Sequence, residues 1–127
     1  MSGGQGTSPT PEDKLLSTLG LCARARKLVM GTPMVCEAVR SKKPPVLAVL
    51  EASDTSANTH KRLADKCAYY GVPLYRLAAD TGRLGRAVGK ASAVAAVGLT
   101  DANLYKALTP HLPPKEAVNE AQAPDRV

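Results

Sequence analysis

Apolar residues recur along this chain in two patterns, one typical of helices and one typical of buried strands. Near the N-terminus Leu15, Leu16 and Leu19 follow helical spacing and define one apolar face. The run "VLAVLEA" (residues 46–52) is continuously apolar, which is typical of a central strand covered on both faces. Because the two patterns alternate along the chain, they predict the order αβαβαβαβα.

Five helices and four strands follow from these patterns. The predicted helices cover residues 11–27, 32–43, 53–71, 82–90 and 101–112, and the predicted strands cover residues 27–31, 46–52, 72–79 and 93–100. Thr32 is the predicted N-cap of the second helix with Pro33 at N1, and Met34 is placed on its buried face. Ser56 and Asp101 are the predicted N-caps of the third and fifth helices. This order predicts a three-layer α/β/α sandwich with a mixed, largely parallel four-stranded sheet.

The length of 127 residues suits one domain. Residues 1–11 contain Gly, Ser, Thr, Pro and Gln but too few apolar groups to fold, so we expect a flexible leader. The folded domain is predicted to cover residues 12–109, and a loose, proline-containing tail to cover residues 110–127. The leader lacks the basic and apolar regions of a signal peptide, so we expect a cytoplasmic protein without a membrane segment. A monomer is expected, since no apolar stripe is left over.

The segment "GRLGRAVGK" (residues 82–90) resembles a phosphate-binding loop in composition but not in spacing. Leu84 stands where a Walker A motif needs its first glycine, and Ala91 stands where it needs a hydroxyl. The apolar residues of the segment instead have helical spacing, and Gly89 suits the position after a helix. We therefore predict a short helix with Arg83, Arg86 and Lys90 pointing outwards and Gly85 packed closely on the sheet.

The net charge is +6, which suits a polyanionic partner such as RNA. Phe and Trp are absent, so phosphate and shape contacts must carry most of the binding. We expect one basic rim where the turn at Gly31 and the loop "GKASA" lie at the same end of the sheet, beside a helix N-terminus. The cations predicted on this rim are Arg24, Arg26, Lys27, Arg86 and Lys90.

Neither cofactor nor metal is expected. The three cysteines lie far apart in sequence without a CxxC or CxxH arrangement, so they are predicted to be buried small residues. His60, Asp54 and Asp65 have no spacing that pairs them for acid–base or metal chemistry. The sequence therefore predicts a protein that is not an enzyme.

Three segments together resemble the YlxQ-like bacterial branch of the ribosomal L7Ae/L30e family: "LGLCARARKLVMG", "ASDTSANTHKRLADKCAYYGVPLY" and "LGRAVGKASAVAAVGLTD". The similarity covers about residues 13–109. It implies the α/β/α sandwich, RNA binding with kink-turn RNA as the best-known target, and a role near ribosome biogenesis or translation.

The resemblance also implies an RNA site, in which the pattern G-[TS]-N-E-x-x-K spans the turn and the start of the second helix. Gly31 and Thr32 match this pattern, whereas Pro33, Met34 and Glu37 replace its asparagine, glutamate and lysine. Because the replaced side chains would reach base edges and phosphates, these changes favour weaker, less sequence-dependent binding driven by phosphate charge. The loop before the last strand, with Ala91, Ser92 and Ala93, would offer a small surface for close approach to sugar or base.

Two functions remain open at this stage. The first is a non-catalytic accessory protein that binds structured RNA, either ribosomal or kink-turn-like. The alternative is a protein-interaction module of the same fold that has lost specific RNA recognition, which the exchange to Pro33 and Met34 favours. Lys61 and Arg62 on the third helix would either extend the RNA surface or form a solvated helix face.

Overall fold

The computed structural model describes residues 10–113, and in this part the predicted order of helices and strands is confirmed. The elements are α1 (Pro11–Arg24), β1 (Leu28–Met30), α2 (Thr32–Ser41), β2 (Ala48–Glu51), α3 (Ala57–Tyr70), β3 (Leu74–Arg76), α4 (Thr81–Ala87), β4 (Ala96–Leu99) and α5 (Ala102–Leu108). A single 3₁₀ turn, Thr109–His111, follows α5.

The first helix begins earlier than the predicted domain boundary at residue 12. Thr10 accepts a hydrogen bond from the backbone N–H of Asp13, and the Asp13 carboxylate accepts one from the backbone N–H of Thr10. This reciprocal capping box satisfies two backbone donors and starts α1 at Pro11. At the other end of the chain, Leu112 packs against the core, so the ordered fold also extends beyond residue 109. The remainder of the predicted leader and tail lies outside the described residues.

The predicted N-cap of α2 is wrong by one residue. Gly31 is the N-cap, with φ 93° and ψ 143°, and no side chain caps the helix. This positive φ turns the chain sharply from β1 into α2, and glycine adopts it without a Cβ clash. Thr32 therefore belongs to the helix itself, and only 8% of it is exposed. The predicted N-caps Ser56 and Asp101 are confirmed, since both side chains accept hydrogen bonds from backbone N–H groups of the following helices.

The sheet is mixed, as predicted, but it is not largely parallel. Its strand order is β1-β4-β2-β3, in which β2 and β3 are parallel while β4 is antiparallel to both β1 and β2. The pattern of apolar residues in β4 shows that both of its faces are covered, and this pattern is the same for either strand direction. The prediction of a largely parallel sheet is therefore wrong, because the apolar pattern indicates a central strand but not its direction.

Two apolar clusters cover the two faces of the sheet and confirm the three-layer sandwich. One cluster joins the sheet to α1, α4 and α5, and the other joins it to α2 and α3. The three cysteines are buried and free, as predicted. Burial raises the pKa of the Cys67 thiol to about 12, which keeps it protonated and unreactive at neutral pH.

Candidate nucleic-acid interface

Three connections meet at one end of the sheet. The backbone N–H of Gly31, just after β1, donates to the carbonyl of Ala96 at 2.9 Å. The N–H of Ala52, just after β2, donates to the carbonyl of Ala95 at 2.8 Å. These bonds bring together the β1–α2 turn, the β2–α3 connection and the α4–β4 loop. We call this surface the loop edge and define it as residues 31–34, 52–55 and 90–95.

The glycine-rich segment shapes the loop edge without forming a phosphate loop. It contains the short helix α4, whose Leu84 and Val88 are buried, as predicted. Gly85 was expected to pack on the sheet, but it packs on the loop before β4. A Cβ at Gly85 would lie 2.3 Å from the carbonyl oxygen of Ser92. This close backbone contact holds the α4–β4 loop against the helix.

The N-terminus of α2 contributes backbone donors and exposed apolar surface to the loop edge. The backbone N–H groups of Thr32 and Met34 lie at the positive end of the α2 dipole, while Pro33 has no N–H. No side chain caps α2, so neither of these N–H groups donates to a capping side chain. Met34 was predicted to be buried, but 61% of it is exposed and Cys36 occupies the inward-facing position. The sequence placed Met34 wrongly because Thr32 fills the inner position of the first turn.

The loop before β4 supplies a cation and small residues. Lys90, Ala91, Ser92 and Ala93 are all exposed at the loop edge. The backbone N–H of Lys90 donates to the carbonyl of Gly85 at 2.9 Å, which fixes the start of this loop. The structure therefore brings the predicted residues of the turn and of this loop to one surface.

Arg26 and Lys27 do not belong to this surface, contrary to the predicted rim. Both precede β1, whereas Gly31 follows it, so the strand separates them from the loop edge by roughly 13 Å at about 3.3 Å per residue. The Lys27 carbonyl accepts a hydrogen bond from Thr100 Oγ1, and Lys27 Nζ lies 3.4 Å from Asp101 Oδ2. The charge of Lys27 is thus partly offset at the opposite end of the sheet.

Arg24 and Arg86 lie together, but along the helices of the opposite layer. They line a groove of about 660 Å³ between α1 and α4, together with Arg83. Arg83 forms an ion pair with Asp13 at the start of α1. Of the cations predicted on the rim, Lys90 is the one that the structure places on the loop edge itself.

A buried polar network, which was not predicted from the sequence, supports the β2–α3 connection. Glu51 is fully buried, and its carboxylate contacts His60 Nδ1 at 2.8 Å and accepts a hydrogen bond from Thr55 Oγ1. Asp54 accepts a hydrogen bond of 2.7 Å from the backbone N–H of Thr81, which ties this connection to α4. The signal in the sequence was Glu51, a charged residue inside the apolar run of residues 46–52, which indicates a buried polar contact.

The sequence of nearly the whole described part matches a known protein family. The sequence profile of the Ribosomal protein L7Ae/L30e/S12e/Gadd45 family matches residues 13–109. The chain belongs to this family. The predicted resemblance is therefore confirmed. The match covers the sheet, the five helices of the described part except the first two residues of α1, and the whole loop edge.

Relatives of this L7Ae/L30e-family chain include two proteins named RNA-binding protein YlxQ. The one from Bacillus subtilis (strain 168) is 41% identical over 83 residues, which cover 65% of this chain and 79% of the relative. The one from Enterococcus faecium is 34% identical over 77 residues, which cover 61% of this chain and 72% of the relative. A solved structure, of a protein with unknown function from Bacillus halodurans C, has a TM-score of 0.70 and 38% identity, covering 77% of this chain and 95% of its own.

One departure from the RNA-site pattern that the resemblance implies has an ion-pair partner in this structure. Glu37, at the position of the pattern's lysine, lies on the exposed side of α2 and forms an ion pair with Arg40, with Nη2 2.6 Å from Oε2. Its negative charge is therefore partly balanced. Among residues 10–113, no group of His, Cys, Asp and Glu side chains could hold a metal ion, and no helix is long and apolar enough to cross a membrane.

Proposed function

We propose that this member of the L7Ae/L30e family is a non-catalytic accessory protein that binds structured RNA at the loop edge. The observation that carries the proposal is the meeting of Lys90, the uncapped N-terminus of α2 and the small residues 91–93 on one exposed surface. Backbone donors at a helix N-terminus and a nearby cation suit phosphate oxygens, and small side chains allow close approach to sugar or base.

The names of the two relatives and the net charge of +6 support RNA as the partner. We assign the protein to ribosome biogenesis or translation, in the cytoplasm and as a monomer, with ribosomal or kink-turn-like RNA as the candidate target. Since Pro33 and Met34 offer no side-chain hydrogen bonds to base edges, phosphate contacts dominate and binding falls steeply with salt.

A second candidate is a protein-interaction module that uses the same edge. It is favoured by the exposure of Met34, because a flexible, polarizable side chain beside Pro33 makes an adaptable apolar contact. This candidate predicts binding to a partner protein with no response to RNA.

The test is a titration of the full chain against a kink-turn RNA and a matched straight duplex, at about 50 and about 200 mM salt. Lys90→Gln is compared with Lys27→Gln, which removes the same charge at the opposite end of the sheet. We expect Lys90→Gln to lower affinity several-fold and to reduce the slope of log K against log salt by about 0.9, while Lys27→Gln changes affinity by less than about twofold.

The outcomes separate the two candidates. Tight binding to the kink-turn alone would mean that the backbone donors of residues 31–34 recognise it without the missing side chains. Equal, salt-sensitive binding to both RNAs supports the phosphate-driven mode. Absence of binding to either RNA would overturn the proposal in favour of the protein-interaction module.

A further inference from the structure

The side chain of Tyr69 projects into solvent from the last turn of α3. It is 79% exposed, more than any other large hydrophobic residue in the described part of the chain. Its ring lies 4.8 Å from the ring of Tyr70, centroid to centroid, at an interplanar angle of 80°. Tyr70 in turn packs against the core between α2, α3 and the sheet. Tyr69 is thus an open aromatic ring on a firmly supported helix.

Cations from α3 and from the C-terminus of α2 lie on the same surface as the two tyrosines. Lys42 follows α2, and its Nζ lies 5.4 Å from the centroid of the Tyr70 ring, so the α2 C-terminus adjoins the tyrosines. Arg62 and Lys66 precede Tyr69 by seven and three residues, which places all three on one side of α3. We call this surface the tyrosine patch and define it as Lys42, Lys43, Arg62, Lys66 and Tyr69.

The cations of the tyrosine patch keep their charge available. The acidic residues of α2 and α3, Glu37 and Asp65, each form an ion pair with a cation outside the patch, Glu37 with Arg40 and Asp65 with Lys61. Within residues 10–113, none of the four patch cations has a carboxylate within ion-pair distance. Among the described residues, the patch therefore combines cations that have no ion-pair partner with an exposed aromatic face.

We propose that the tyrosine patch is a second RNA-binding surface, which takes an unpaired stretch of RNA by stacking a base on Tyr69 and contacting phosphates with its lysines and arginine. Proteins that bind single-stranded nucleic acid commonly combine aromatic rings, on which bases stack, with cations that contact the phosphates. Such stacking does not depend on the identity of the base. The strong positive charge favours this occupant over an apolar protein surface.

This inference rests on the proposed function and extends it along α2. The helix has ten residues, so its N-terminus at the loop edge and its C-terminus at the tyrosine patch are about 15 Å apart. One RNA can therefore place its structured part at the loop edge and a single-stranded extension at the patch.

The experiment uses two fluorescein-labelled probes, an internal-loop hairpin and the same hairpin with a single-stranded oligouridine extension. Anisotropy titrations compare the wild type with Tyr69→Ala, Tyr69→Phe and the double variant Lys42→Gln/Lys43→Gln. The matched control is Lys14→Gln/Lys106→Gln, which removes two exposed lysines from the opposite layer.

We expect the extension to tighten wild-type binding by about five- to tenfold, the gain of roughly one stacked base. Tyr69→Ala removes this gain and Tyr69→Phe keeps it, because the ring and not the hydroxyl stacks. The double variant reduces the salt slope for the extended probe by about 1.4, since a single strand contributes about 0.7 per phosphate. The control variant leaves both quantities unchanged.

A wild type that binds both probes equally, or a Tyr69→Ala variant that retains the gain, overturns the inference and leaves a protein-binding role for the patch. The two proposals fail separately. If Lys90→Gln leaves the affinity for the hairpin unchanged while the gain in affinity from the extension still depends on Tyr69, the proposal for the loop edge is overturned and the proposal for the tyrosine patch is supported. Because Tyr69 is exposed, circular dichroism and thermal melting should show that both of its variants are folded.

Discussion

Glu51 and His60 form a partly buried hydrogen bond behind the loop edge, with Glu51 Oε1 2.8 Å from His60 Nδ1. Glu51 has no exposed surface, and Thr55 supplies the other hydrogen bond to its carboxylate. A buried carboxylate is costly unless its oxygens are hydrogen-bonded, so these two partners stabilise the β2–α3 connection.

Replacing His60 with alanine should therefore destabilise the fold. We expect the free energy of unfolding, measured by urea titration, to fall by about 1–3 kcal/mol because the carboxylate loses a partner. Lys61→Ala is the control, since it removes an exposed pair with Asp65 and should cost less than about 0.5 kcal/mol. Equal losses in the two variants would contradict the role assigned to Glu51.

Gly85→Ala should damage both stability and the loop edge. The new Cβ would meet the Ser92 carbonyl oxygen at 2.3 Å, and this backbone atom can move only with the loop. We expect a loss of about 1–3 kcal/mol by thermal or urea unfolding, together with weaker RNA binding.

Gly82→Ala provides the comparison within the same helix. Its Cβ would lie 3.6 Å from Asp80 Oδ1 and 3.7 Å from Arg86 Nη1, which are ordinary contacts with flexible side chains. This change should leave stability unaltered or raise it by about 0.4–1 kcal/mol, because the unfolded chain loses conformational freedom. If Gly82→Ala is the more harmful variant, the packing of α4 on the loop is not the constraint.

Acid should weaken the fold through two capping aspartates. The backbone N–H of Thr10 is the main cause of a lowered pKa at Asp13, and the backbone N–H of Leu104 is the main cause at Asp101. A carboxyl group with a lowered folded pKa contributes stability above its unfolded pKa, near 3.8, and loses it as the pH falls through the folded value.

We therefore expect the wild type to lose stability between about pH 5 and about pH 2, as followed by thermal melting. Asp13→Asn and Asp101→Asn should be less stable than the wild type at neutral pH and should lose less on acidification. Parallel pH profiles for the wild type and both variants would contradict the contribution of these caps.

Glu37→Lys should tighten RNA binding at the loop edge. The change removes a negative charge near the α2 N-terminus and frees Arg40 from its ion pair. We expect a several-fold gain in affinity and an increase of about 0.9 in the salt slope for each added phosphate contact, with Glu37→Gln intermediate. Unchanged affinity in both variants would show that RNA does not approach this side of α2.

Much of the local structure could be predicted from the sequence because it depends on neighbours in the chain. The spacing of Leu84 and Val88 predicted a helix in the glycine-rich segment, and Ser56 and Asp101 marked helix starts correctly. The N-cap of α2 was misplaced because the backbone angles of Gly31, rather than the hydroxyl of Thr32, make the turn. Met34 was misplaced because Thr32 and Cys36, rather than Met34, share the buried face of α2 with Val35 and Val39.

The sequence by itself determined the element types, most of their inward faces and the layered architecture, because buried positions recur with the period of the helix or strand. The tertiary structure alone decided which charges share a surface. With β4 antiparallel between β1 and β2, Gly31 meets the α4–β4 loop, while Lys27 lies at the far end of β1 beside Asp101. An apolar strand pattern reads the same in either direction, so the position of a cation at one end of a sheet follows only from how the strands pair.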